Sequence, residues 1–185
     1  FLNQIEIEQL PCHIERISRG DYHVEDRNHL LAYIRRQDGS QETLVPIINE
    51  LVVTKSEPAK MARINLAIDG KHTQMYPADG LIISSATGST GYNLSAGGPI
   101  LAPDNRSLIV TPIAPHLLQG VSLVLKEESL IDITMPERED QLHVCIDGVF
   151  DYWFTNQESL HVESNPVYTR FVRFKDQRFF GTLFK

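Results

Sequence analysis

The sequence has little of what marks several large classes of protein. Only two cysteines, Cys12 and Cys145, occur in 185 residues. That is too few for a disulfide framework, and their spacing suits neither a metal nor a redox pair, so they read as free thiols in a reducing, cytoplasmic compartment. Basic residues are in the minority, with 17 Lys+Arg against 24 Asp+Glu and a net charge of -7; this balance argues against nucleic acid, which is held mainly through its phosphate backbone. No apolar run reaches the ~20 residues needed to span a bilayer. The longest candidates are interrupted by Pro112, Pro115 and charges, so no membrane partner is expected. There is no internal repeat, low-complexity tract or long linker. The chain opens on Phe1 rather than Met, with no basic leader or cleavage pattern, and reads as cut from something longer.

What is present suits one compact domain with a real core: 42% of residues are hydrophobic and 22% charged. Within 5–19, Ile7, Leu10, Ile14 and Ile17 recur at helical intervals, Gly20 stands at a helix C-cap position, and Pro11 is expected to split the stretch into two short turns. Strand signals follow. Segments 29–36, 64–68 and 144–146 each run into an Asp-Gly pair, Asp38-Gly39, Asp69-Gly70 and Asp147-Gly148, of the type that closes tight hairpins because both positions tolerate positive φ. Segments 81–83, 108–110, 121–125, 130–135 and 167–174 are rich in β-branched and aromatic residues. The expected fold is mainly β, a two-sheet sandwich or distorted barrel with a short N-terminal helical segment, interrupted at 84–98 where one short helix has room.

The chemistry concentrates in 79–99, where a strand empties into glycines and hydroxyls around Thr87, Gly88, Ser89, Thr90, Gly91, Tyr92 and Ser95. Glycine removes the Cβ that holds a ligand off the backbone, so N–H groups and Ser/Thr oxygens can converge on a phosphate or a ribose. Tyr92 adds a flat surface and a hydroxyl. The competing interpretation of the same letters is a Gly/Ser-rich turn between two strands. No G-x-x-x-x-G-K-[ST] loop, G-x-G-x-x-G fingerprint or G-x-S-x-G elbow is present: Asn93 stands two places before Ser95, and Thr87 two before Ser89.

This run resembles the NAD kinase family, whose C-terminal domain carries a pattern close to D-G-L-I-[VI]-S-T-P-T-G-S-T-A-Y-x-L-S-A-G-G-P. The resemblance extends over the whole chain. Asn49-Glu50 stands where the family has an Asn-Glu or Asn-Asp pair, and 112–116 resembles its P-I-x-P-H segment. Phe1-Leu2 with Gly20-Asp21-Tyr22 and Glu25-Asp26-Arg27 is similar to the end of its L-G-F-L stretch and its G-x-[YF]…E-[ED]-R element.

The resemblance implies roles residue by residue. Asn49 and Glu50 would hold the ribose on the nicotinamide side of NAD, a carboxylate accepting from vicinal hydroxyls and an amide both donating and accepting; without the resemblance they would merely decorate a strand face. Thr90, Gly91, Tyr92 and Ser95 would contact the dinucleotide and Thr87 would shape the same loop, although Tyr92 alone also reads as an amphipathic core residue. Asp79 would reach NAD bound by a neighbouring subunit, which implies a homo-oligomer, dimer or tetramer; the plain alternative is the first residue of an Asp-Gly turn. Ala114 and His116 would line the NAD pocket, with His116 a binding residue and not a base. Asp147-Gly148 is read only as a hairpin, and no histidine has a partner pattern for a metal.

Three departures bear on the loop: Ser85-Ala86 replaces Thr-Pro, Gly91 replaces Ala, and 119–122 lacks an Arg-Pro. By resemblance the whole protein transfers a phosphoryl group from ATP or inorganic polyphosphate, with a divalent metal such as Mg, to the 2′-hydroxyl of the adenosine ribose of NAD, giving NADP. The family's G-G-D-G donor motif and probable base are expected before Phe1, so residues 1–185 form one NAD-binding domain with no catalytic residue and no activity alone. Residues 174–185, with Phe179, Phe180 and Phe184, are expected to pack on the preceding domain. A non-enzymatic nucleotide-binding or assembly domain on the same scaffold, and a lipid-kinase relative, are the alternatives.

Overall fold

The computed structural model describes residues 6–57, 60–116, 120–137, 141–174 and 179. Among these residues twelve strands form two six-stranded antiparallel sheets, the mainly β, two-sheet arrangement that the sequence pattern predicts. The first sheet has the order β2-β1-β12-β9-β4-β5, with β1 His23–Arg36, β2 Gln41–Thr43, β4 Ala62–Ile68, β5 Lys71–Ala78, β9 Ile131–Thr134 and β12 Glu158–Arg173. The second has the order β11-β10-β3-β6-β7-β8, with β3 Glu50–Lys55, β6 Gly80–Ser84, β7 Leu108–Ile113, β8 Leu123–Leu125, β10 Gln141–Ile146 and β11 Phe150–Thr155.

Alternation places Leu30, Ala32 and Ile34 of β1 and Ile64 and Leu66 of β4 inside, where they meet Leu51, Val53, Leu81, Ile83, Val144 and Ile146 from the second sheet in one core. β6 is buried along its whole length, Gly80 through Ser84, because β3 and β7 flank it and both of its faces are covered. Proline falls where the ladders tolerate it. Pro77 sits in β5, at the edge of its sheet, and Pro112 lies in β7 beyond the stretch 108–110 that β8 covers.

Two local expectations need correction. Pro11 does not split the N-terminal segment: a 3-10 turn Ile7–Gln9 leads directly into α1 Leu10–Ser18, with Pro11 in its first turn, where a missing N–H costs nothing. Gly20 does follow the helix with φ 72. Of the three Asp-Gly turns, Asp69-Gly70 and Asp147-Gly148 have both residues at positive φ, whereas at 38–39 only Gly39 does; Asp38 instead accepts the Ser40 N–H at 2.8 Å. Residues 1–2, Gln119 and most of the aromatic tail lie outside the described residues. Phe174 is buried against His13 and the Arg16 guanidinium of α1.

Candidate functional site

β6 ends at Ser84 and the chain enters the loop anticipated from composition: a 3-10 turn Gly88–Thr90, then the short helix α2 Tyr92–Ser95. Hydroxyls tie the loop down. Ser85 donates through its Oγ to the Ile48 carbonyl at 2.6 Å and accepts the Gly88 N–H at 3.2 Å, and Ser89 Oγ donates to the Ala86 carbonyl at 2.6 Å. Ser85 thereby closes the turn from both sides, as donor and as acceptor. Asn93, which the sequence did not single out, is fully buried; its amide donates to the carbonyls of Ser89 and Pro99, and its oxygen accepts from Thr111 Oγ at 2.7 Å. A loop of small residues thus becomes a fixed shelf.

Glycine is required at 88, and at 91 it leaves room, where the shelf meets the strand below. A Cβ on Gly88 would stand 2.1 Å from the Asn49 carbonyl oxygen, and one on Gly91 would stand 3.0 Å from Glu50 Oε2. Glu50 opens β3 next to Asn49 and lies under Gly91. Its Oε2 is buried without a hydrogen-bond partner. Burial first, and then the neighbouring Asp147 carboxylate, push its pKa up to about 7, against a counter-pull from the Tyr92 backbone N–H. On the outer side Gly91, Tyr92 and Ser95 are exposed, with Tyr92 at 42%, which excludes a core role for that ring. Thr90 is half-buried and Thr87 buried.

Asp147, predicted only to close a hairpin, does more. From the turn between β10 and β11, with φ 49, its carboxylate accepts the backbone N–H groups of Ile48, Asn49 and Glu50 at 2.9, 2.8 and 3.0 Å, and its own N–H donates to the Glu50 carbonyl at 3.0 Å. It fixes the backbone that carries Asn49 and Glu50. The Asp-Gly signal already accounted for the residue locally, so nothing in the spacing drew attention to a contact 98 positions away.

The remaining three expected residues are elsewhere. Gly80 pairs with Ile113, so Asp79 and Ala114 flank one end of β6, and the His116 N–H donates to the Pro77 carbonyl at 2.9 Å. Glu50 and the loop occupy the other end, where Glu50 pairs with Ser84. Four strand steps separate the two ends, about 13 Å. Asp79 is not the first residue of a tight turn; it stands where the chain passes from the first sheet to the second, half-exposed and bound to Lys55 Nζ at 2.6 Å. His116 is exposed and Ala114 holds φ 44. Asn49, Glu50, Thr87, Thr90, Gly91, Tyr92 and Ser95 thus form one ledge, while Asp79, Ala114 and His116 form a second cluster.

Fold and ledge together define a two-sheet β domain that presents glycine, hydroxyl and carboxylate groups to a polar ligand. The ATP-NAD kinase C-terminal domain matches residues 48–174, and the chain belongs to that family. An NAD kinase of Heliobacterium modesticaldum is 37% identical over 183 residues, 99% of this chain, and one of Gemmatimonas aurantiaca 35% identical over the same span. The chain covers 64% and 63% of the length of these two relatives. An NAD kinase from Archaeoglobus fulgidus in complex with ATP shares the fold at a TM-score of 0.77 and 25% identity, over 95% of this chain and 66% of that one. A yeast NADH kinase complexed with NADH does so at 0.88 and 21% identity, over 98% and 53%.

Proposed function

We propose that this chain is the NAD-holding domain of an NAD kinase, the part that aligns the acceptor while a phosphoryl group passes from ATP or polyphosphate to the 2′-hydroxyl of the adenosine ribose. The observation that carries this reading is the buried, unpartnered Glu50 Oε2 beneath Gly91, next to Asn49. A buried acceptor left empty is costly, and a sugar hydroxyl donating to it removes that cost. Asn49 supplies the complementary amide, and Tyr92 and Ser95 offer an exposed ring and hydroxyl along the same ledge. Phosphoryl transfer needs an acceptor hydroxyl in line with the donor, and anchoring the nicotinamide-side ribose, so that the rest of the dinucleotide is held in place, is the contribution these residues suit.

A divalent metal such as Mg would travel with the donor phosphates. Among the described residues no three His, Cys, Asp or Glu side chains converge to hold one, so no metal step is assigned to this domain. The position of Asp79, Ala114 and His116 about 13 Å from the ledge supports a homo-oligomer in which this second cluster serves the dinucleotide on a neighbouring ledge. Free thiols at Cys12 and Cys145 fit a reducing, cytoplasmic setting.

Calorimetric titration with NAD and with NADP, on the wild type and on a variant with Asn49→Ala and Glu50→Ala, tests the reading. Binding of NAD that the double variant loses supports it. Equal binding by both proteins places the dinucleotide elsewhere and ends it.

A further inference from the structure

Most contacts that hold the 85–91 loop come from the second sheet or from the loop itself. One comes from the opposite sheet. Arg27, on β1 of the first sheet beside the register shift at Asn28/His29, is 6% exposed, and its Nη1 donates to Thr87 Oγ1 at 3.3 Å across 60 positions of sequence. The guanidinium is oriented by Glu25, which pairs with both its Nε and Nη2. Arg173 of β12 lies 3.6 Å from the same carboxylate and is itself buried. A buried guanidinium is expensive to keep, and its planar fork fixes direction in a way a lysine does not. Thr87 begins the turn that carries Gly88, Thr90, Gly91 and Tyr92, so its position sets the height of the ledge over Glu50.

We infer that Arg27 is a positioning residue for the dinucleotide ledge: held by Glu25, it pins Thr87 and thereby couples the first sheet to a site built on the second. This rests on the proposed NAD-binding role for its functional consequence, but not for its structural one. The test is a double-mutant cycle of Arg27→Gln and Thr87→Val in the whole protein that carries this chain, with Thr87→Ser and Arg27→Lys beside it. Hydrogen exchange of the 85–92 amides is read first, then the dissociation constant for NAD and the KM and kcat.

Either single change is expected to speed exchange in 85–92 while the amides of β3 and β6 stay protected, and to weaken NAD binding roughly tenfold through KM with kcat little changed; the double variant should be no worse than the weaker single, and Thr87→Ser close to wild type. Unchanged exchange in 85–92 overturns the inference whatever the ligand is. So does a Thr87→Val effect on NAD that persists undiminished in the Arg27→Gln background, since Thr87 would then touch the ligand directly. If Arg27→Gln does not fold, Thr87→Val against Thr87→Ser carries the exchange test alone. A wild type that exchanges as expected but binds no NAD defeats the functional reading and leaves the clamp standing.

Discussion

The Asp147 carboxylate receives the Asn49 backbone N–H at 2.8 Å, so the first residue of the Asn-Glu pair is held by a residue from the far hairpin of the same sheet. Replacing Asp147 with Ala leaves three backbone donors at 48–50 without their acceptor, and the expected loss is about 2–4 kcal/mol of stability. Asp147→Asn, which keeps one acceptor oxygen, should lose less. Urea denaturation of both variants measures this. Equal and small losses would mean that the three N–H groups find other partners.

Glu50 makes the site sensitive to pH. Because its folded value is raised from 4.5 to about 7, the proton is favoured in the empty folded state. This contribution to stability is fully present below 4.5 and is lost as pH rises through about 7. The bound state has the opposite preference, since ribose hydroxyls donate best to an ionised carboxylate. NAD affinity is therefore expected to rise between pH 6 and 8, by roughly tenfold or less for one proton per unit of pH. Titrations across that range should show the rise in the wild type and a flat profile in Glu50→Gln.

The two glycines over the Asn-Glu pair should respond differently to a methyl group. Gly88→Ala drives a Cβ to 2.1 Å from a backbone carbonyl that cannot withdraw, and a loss of roughly 3 kcal/mol is expected. Gly91→Ala meets the Glu50 carboxylate at 3.0 Å and the Gly88 carbonyl oxygen at 3.3 Å, contacts that a small shift relieves; it should cost less than half as much and act mainly on the pH profile. Thermal melts of the two variants rank them, and a Gly91→Ala protein less stable than Gly88→Ala would contradict the geometry.

Asp79 offers a test of the assembly. If it serves a neighbouring ledge, Asp79→Ala and Glu50→Ala subunits are each inactive alone, yet a mixed dimer carries one complete site. Equal mixing of the two whole proteins after dissociation should restore about a quarter of wild-type activity for a dimer. No recovery in a mixture shown to exchange subunits would put Asp79 and Glu50 in separate functions.

Much of the fold was legible because apolar alternation survives in most strands; the chain spells β6 and β7 almost directly. β2, β3, β5 and β11 were not among the expected segments; in β5, Lys71, His72, Thr73 and Gln74 carry no apolar alternation and Pro77 reads as a breaker. An edge strand needs little of either signal, as one side of its ladder faces no partner. The loop was legible because its glycines and hydroxyls are contiguous. Its supports were not. Asp147, Arg27 and Asn93 act across 98, 60 and 18 positions, and such distances are set by which strands lie side by side, a property that no local spacing encodes. The division of the expected site into two clusters escaped notice for the same reason: residues 79 and 87 are close in sequence, but β6 lies between them.

That strand acts as a ruler. β6 is five residues long, covered on both faces and paired on both edges, so neither its length nor its phase can drift: removing Ile82 would put Leu81 and Ile83 on opposite faces, taking one of them out of the core and turning one end of the strand to the wrong side. The interval between the Glu50 ledge and the Asp79 cluster is therefore counted in whole residues and cannot be tuned gradually. A molecule or a neighbouring subunit that bridges the two ends must match a span fixed by the core, and variation in reach has to come from the loops at either end.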